Sequence, residues 1–142
     1  MKIAERPHQA PSAARAEERG GTETVLLIED DEMTRRLTRM LLEDLGYRVL
    51  SAEDGTHAAQ LNRSFDGEIH LLLSDIMIPD GNGVDWARRL RRDRPDMSVV
   101  FMSGYSREAL VREGIPDPGL PFLRKPFPAA VLAWTLREAL GS

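Results

Sequence analysis

Cysteine is missing from this chain, which excludes disulfides, thiol nucleophiles and thiolate metal sites. Long apolar runs are missing too: no stretch approaches the ~20 residues that a membrane span requires, and the N-terminus lacks the apolar core of a secretory signal. A basic excess is also lacking. The formal net charge is −4 over 142 residues, the wrong sign for a protein whose main partner is nucleic acid. No internal repeat is found. Together these absences point to a soluble cytoplasmic protein with no membrane segment and no direct nucleic-acid contact. What is present is 42% hydrophobic residues, enough for one domain with a real core in a chain too short for a second of ordinary size.

Met1 to Thr22 is rich in Ala, Arg, Glu and Pro, holds almost no large apolar residue and closes on Gly20-Gly21. Such a segment cannot bury enough to offset its ordering entropy, so 1–22 reads as a disordered leader or linker and 23–142 as the folded domain. A short helix around Ala13 to Glu18 would have nothing to pack on. The folded part alternates. Thr24 to Ile28 is a buried strand that runs into the acidic turn Glu29 to Glu32, and Met33, Leu37, Met40, Leu41 and Leu45 then recur at helical spacing before Gly46 stops the helix. Tyr47 to Ala52 is a second strand, and Asp54 caps a helix with Ala58, Leu61 and Phe65 on one face. Ile69 to Ser74 is a third strand. Gly83, Trp86, Ala87 and Leu90 mark the inner face of a third helix that ends before Pro95.

Met97 to Met102 is a fourth strand, Ser106 to Glu113 a short fourth helix, and Gly114 to Gly119 a loop. Leu120 to Leu123 is a fifth strand, and a last helix from about Pro128 aligns Ala129, Leu132, Ala133, Leu136 and Leu140. Five strands alternating with five helices through short loops imply right-handed crossovers and a five-stranded parallel sheet, doubly wound, in an α/β domain.

The residues that leave each strand carry the chemistry. The first strand delivers Glu29 and Asp30, the third Asp75, the fourth Ser103 and the fifth Lys125, all at one edge of the sheet. Carboxylates gathered there repel one another unless a cation sits among them. An all-oxygen cluster with room for waters and a phosphate oxygen suits Mg²⁺. A carboxylate beside that ion can act as nucleophile toward a phosphoryl group, and one Lys ammonium can neutralise the transferred oxygens. Each residue has a plainer reading taken alone: Glu29 and Asp30 as charges at a helix N-terminus, Asp75 and Ser103 as turn residues, Lys125 as a surface lysine, Phe122 as core. Asp31 reads as a helix cap.

The segments VLLIEDDE (Val25 to Glu32), LLLSDIMIPDGNG (Leu71 to Gly83), VVFMSGY (Val99 to Tyr105) and FLRKPF (Phe122 to Phe127) stand in order at matching spacing. With them the chain resembles a response-regulator receiver domain of two-component signalling, from Thr24 to about Leu140. The resemblance implies a flavodoxin-like (βα)5 fold. It implies Asp75 as phosphoacceptor, supplied by a histidine kinase or histidine phosphotransfer protein. It further implies Mg²⁺ (or Mn²⁺) held by Asp30, Asp75 and the Met77 backbone carbonyl, with Glu29 acting through water. Lys125 would contact the phosphoryl group from a cis Lys125-Pro126 bond, and Ser103 and Phe122 would form the conformational switch.

Glu29 stands where Asp is frequent, Ser103 where Thr is frequent and Phe122 where Tyr is often found; a Phe has no hydroxyl to offer a reader. The MSGY segment and the GTETVLLIEDDE entry are similar to receivers carried by hybrid sensor histidine kinases. The expected activity is a signalling switch rather than an enzyme, with only slow loss of its own phosphoryl group, because Met77 stands where a phosphohydrolase of this chemistry would need a second acid. The competing readings are a non-phosphorylated pseudo-receiver that binds partners, and that phosphohydrolase. Trp134 falls off the inward stripe of the last helix and would suit a partner surface, and a homodimer through the fourth and fifth helices is a further expectation. The arginine run Arg88 to Arg94 reads as a solvated helix face, and His8, His57 and His70 as isolated.

Overall fold

The computed structural model describes residues 20–141. The leader assigned to 1–22, with its short helix near Ala13 to Glu18, falls outside the described residues up to position 19. The chain is already packed at Gly21, whose N–H donates to the Leu45 carbonyl at 3.0 Å. Its own carbonyl lies so close to Gly46 that a side chain there would collide, and Gly46 sits at φ 101°, where glycine is favoured.

The strands are β1 (Thr24–Ile28), β2 (Arg48–Ala52), β3 (Leu71–Asp75), β4 (Ser98–Ser103) and β5 (Phe122–Arg124). They form one sheet in the order β2-β1-β3-β4-β5, with every neighbouring pair parallel. The helices are α1 (Glu32–Asp44), α2 (Gly55–Ser64), α3 (Gly83–Asp93), α4 (Arg107–Arg112) and α5 (Ala129–Leu140). A two-residue ribbon, Met77–Ile78 against Gly81–Asn82, lies between β3 and α3.

Alternation along the central strands builds two cores. Leu26, Ile28 and Leu72 face the side on which Val84, Leu90 and Leu110 pack. Val25, Leu27, Leu71 and Leu73 face the other side, against Leu42, Leu132 and Leu136. Each fully buried leucine or isoleucine contributes about 1.5–3 kcal/mol relative to exposure, so residues of β1 and β3, buried throughout, anchor the fold. Strand order reverses between β1 and β3, which opens a crevice at their carboxyl ends.

Helix starts follow from caps. Asp31, Asp54, Asn82 and Ser106 each accept a hydrogen bond from the N–H three residues on, at 2.8 to 3.1 Å. Asp31 is therefore the cap of α1.

The structure corrects several boundaries and one helix face. Asp75 is the last residue of β3 rather than the residue after it, and β4 runs one residue later than the apolar pattern suggests. β5 begins at Phe122 rather than Leu120, since Pro121 has no N–H for the ladder. In α1 the buried residues are Thr38 and Leu42, while Met33, Leu37 and Met40 are exposed. The inward stripe is rotated by about a quarter turn from the apolar one, because at 100° per residue two threonines, Thr34 and Thr38, occupy the sheet side. Trp134 is exposed, in keeping with its position off the inward stripe of α5, and Ala129 is exposed at the first turn of that helix.

Candidate functional site

The crevice collects the charges. Glu29 leaves β1, Asp75 ends β3, and Lys125 follows β5, 96 and 50 residues from its partners. The Lys125 Nζ donates to Glu29 Oε1 at 2.6 Å and to Asp75 Oδ2 at 2.8 Å. Glu29, Asp30 and Asp75 each bring a carboxylate oxygen within 4.8 Å of the others. Glu29 is 1% exposed and Asp75 7%, whereas Asp30 is exposed. Burial pushes the Glu29 carboxyl above its ordinary value, against the Lys125 hydrogen bond that pulls it down. Burial alone would lower the Lys125 ammonium, but its bonds to Asp75 and Glu29 prevail and hold it above its ordinary value.

The supporting geometry is local to each strand end. The Asp31 N–H donates to Glu29 Oε2 at 3.0 Å, and the Arg35 guanidinium reaches back to the Glu29 carbonyl at 2.9 Å. These bonds fix the acidic turn. Gly83 N–H donates to the Ile76 carbonyl at 2.7 Å, and a side chain at Gly83 would strike the Asp75 carbonyl, so α3 starts flush against the end of β3. The ribbon after Asp75 pairs Met77 with Asn82, which holds the Met77 backbone in place.

Asp80, at the tip of the ribbon, accepts from Gly55 N–H and Thr56 N–H, each at 2.9 Å, and from the Thr56 hydroxyl at 2.7 Å. Burial opposes its ionisation, but these donors win and its carboxyl lies below the ordinary range. The ribbon is thereby pinned to the start of α2. Trp86 completes the joint: its Nε1–H donates to the Asp80 carbonyl at 3.0 Å, its ring covers Gly55, and the Arg89 guanidinium carbon lies 4.4 Å from the ring centroid.

Ser103 is 1% exposed. Its hydroxyl accepts from the Tyr105 N–H at 3.0 Å, and its carbonyl accepts from the Lys125 N–H at 2.8 Å, which ties the two strand ends together. Phe122 begins β5, three residues before Lys125. It pairs in register with Phe101 and packs, half-buried, against the core beneath α4. The Lys125-Pro126 bond is cis as expected, and Leu120-Pro121 is cis as well.

Sequence reasoning named Glu29, Asp30, Asp75 and Lys125, and the fold brings these four together. It missed Arg35, which looked like one arginine among several on α1, and Asp80, which acts across 25 residues. Neither His70 nor His57 is isolated: the His70 Nδ1 accepts from the Thr24 N–H at 3.0 Å, and the His57 Nδ1 pairs with the Glu53 carboxylate four residues back, while His8 lies outside the described residues.

A doubly wound parallel sheet whose carboxyl ends gather an acidic, lysine-bridged pocket defines the class: a flavodoxin-like α/β domain. The chain belongs to the response regulator receiver domain family, whose sequence profile matches residues 25–137. Among characterised relatives it is similar to the sensor kinase CckA of Brucella abortus, at 35% identity over 95% of this chain and 15% of that protein. It is also similar to the response regulator receiver protein CpdR of the same organism, at 34% identity over 72% of this chain and 84% of the relative. The solved receiver domain of the hybrid histidine kinase CckA superposes with a TM-score of 0.69 at 31% identity, covering 82% of this chain and 98% of that one. The chain thus spans a small part of one relative and most of another. Receiver domains act in two-component signalling with histidine kinases or phosphotransfer proteins, and they generally bind Mg²⁺ at an acidic pocket such as the cluster of Glu29, Asp30 and Asp75.

Proposed function

We propose that this receiver takes a phosphoryl group from a phosphohistidine of a histidine kinase or phosphotransfer protein onto Asp75. The observation that carries the reading is the single Lys125 ammonium bonded to both Asp75 and Glu29 beside Asp30. An Asp75 carboxylate oxygen attacks phosphorus, the P–N bond breaks, and the imidazole leaves with that electron pair. Lys125 stays on the acceptor side, where its ammonium follows the charge from the Asp75 oxygen to the phosphoryl oxygens. The all-oxygen donor set suits Mg²⁺ (or Mn²⁺), with Asp30, Asp75 and the Met77 carbonyl as ligands and Glu29 acting through water. When bound, the ion would neutralise phosphoryl charge.

Ser103 would exchange its Tyr105 partner for a phosphoryl oxygen, drawing the loop after β4 with it, and Phe122 would turn inward as that loop moves. The domain is then a signalling switch that loses its own phosphoryl group only slowly, since Met77 carries no acid to activate water. We assign the switch to residues 23–142 and to the cytoplasm, with 1–22 as a leader or linker whose end, from Gly21, already rests on the domain. Among the described residues no helix is long and apolar enough to cross a membrane. The exposed Met33, Leu37 and Met40 form a stripe on α1, and Leu37 lines one cavity with Lys125, Pro126 and Phe127. That stripe suits docking of the phosphodonor's own helices.

Incubation with Mg²⁺ and a small acyl phosphate, read by intact mass, tests the proposal. Wild type should gain one phosphoryl group, and Asp75→Asn should lose uptake by at least about 100-fold, in line with removal of a nucleophile. Equal uptake by the variant, or uptake unaffected by removing Mg²⁺, would overturn it.

A further inference from the structure

Helix α4 has only six residues, and the chain from Glu113 to Pro121 that follows it is irregular. The sheet face between α3 and that segment is therefore incompletely covered. A cleft of about 670 Å³ opens there, floored by Val99 and Phe101 of β4, with Ala87 of α3 on one side and Pro118 and Leu120 on the other. Leu120 is 77% exposed, the largest exposure among the big apolar residues described. The rim on the α3 side carries Arg88, Arg91 and Arg92, and among the described residues no acid lines the cleft. Arg88 pairs with Asp85 one turn back at 3.2 Å and Arg91 donates to the Pro95 carbonyl at 3.1 Å, both on the exposed surface, which leaves the rim a net positive charge. This local positive charge stands on a chain whose net charge is −4.

We propose that the cleft docks an acidic amphipathic helix of a partner protein. The apolar floor offers burial to one face of such a helix. Arg88, Arg91 and Arg92 lie at i, i+3 and i+4 on one face of α3 and line the same cleft, so they offer positive charge to acids at that spacing on an opposing helix, with a partner acid taking the place of exposed Asp85 on Arg88. A basic or neutral partner would lose that complementarity, and a nucleic acid would leave the apolar floor exposed.

The test uses the full chain and a synthetic 16-residue amphipathic peptide with leucines on one face and glutamates flanking them. A second peptide with every glutamate replaced by lysine serves as the charge control. The glutamate peptide should bind saturably, with chemical-shift changes at Val99, Phe101 and Leu120, and the lysine peptide should not. Arg88→Glu with Arg92→Glu should weaken binding about tenfold, and Leu120→Ser about fivefold, whereas Arg63→Glu on α2 should change it less than about twofold. Saturable binding that Arg63→Glu weakens as much as the rim variants, shift changes centred on Met33 and Leu37 instead, equal binding of both peptides, or no binding would each overturn the proposal.

Discussion

Two glutamates bracket strand β1, and each is paired with a cation from the far end of the chain. Glu23, just before the strand, accepts from both terminal guanidinium nitrogens of Arg137, at 3.0 and 2.5 Å. Glu29, just after it, accepts from Lys125 at 2.6 Å. The two pairs differ in what surrounds them. Glu23 keeps some exposure and a bidentate partner, and the Arg137 bond holds its carboxyl down at about 2 from an ordinary 4.5. Glu29 is fully buried and shares its lysine with Asp75, and its burial cost outweighs what the lysine returns. One end of the strand is an ion pair at rest. The other holds more negative charge than its one ammonium satisfies, which is the condition of a site ready for a further cation.

The sharpest way to break this contrast is to remove each cation in turn. Lys125→Ala and Arg137→Ala should each lower unfolding free energy by about 2 kcal/mol, as expected for stranding the buried Glu29 in the first case and the partly buried Glu23 in the second. Only the first loss should be recovered by adding Mg²⁺, as read by urea denaturation with and without the ion. Recovery of both, or of neither, would erase the distinction between the two ends. Removing the acids should give opposite signs. Glu23→Gln should destabilise by about 1 kcal/mol, while Glu29→Gln in metal-free buffer should stabilise by up to about 1 kcal/mol and weaken Mg²⁺ binding about tenfold.

The smallest effect is in the acid limb. A carboxyl whose folded value lies below its unfolded one contributes stability that is complete above the unfolded value and fades as pH falls toward the folded one. For Glu23 that window runs from 4.5 down to about 2. Melting midpoints of wild type should therefore fall more steeply across it than those of Glu23→Gln, and parallel curves would remove Glu23 from the acid response.

The division between what could be read in the sequence and what could not follows the range of each interaction. The strand ends were legible because apolar runs such as Leu71 to Leu73 stop at a charge, and a parallel sheet aligns those stops. The facing of α1 was not, because Thr34 and Thr38 carry no apolar signature and the exposed methionines mimic a core stripe. Asp80 and Arg35 were missed for a related reason. An aspartate in a Pro-Asp-Gly turn looks complete in itself, and only folding brings the open N–H groups of Gly55 and Thr56 to it. The Glu23–Arg137 pair, 114 residues apart, left no local trace either.

Trp86 touches three things at once: the Asp80 carbonyl, the Gly55 backbone and the Arg89 guanidinium. The ribbon beyond Asp75 is thus wired to a natural fluorophore, and an event that shifts it is expected to alter quenching of the indole by amide and cation. Trp134, on the outer side of α5, supplies a second emission that a Trp134→Phe background removes. The domain carries its own optical gauge of what happens at the strand ends, readable without a label.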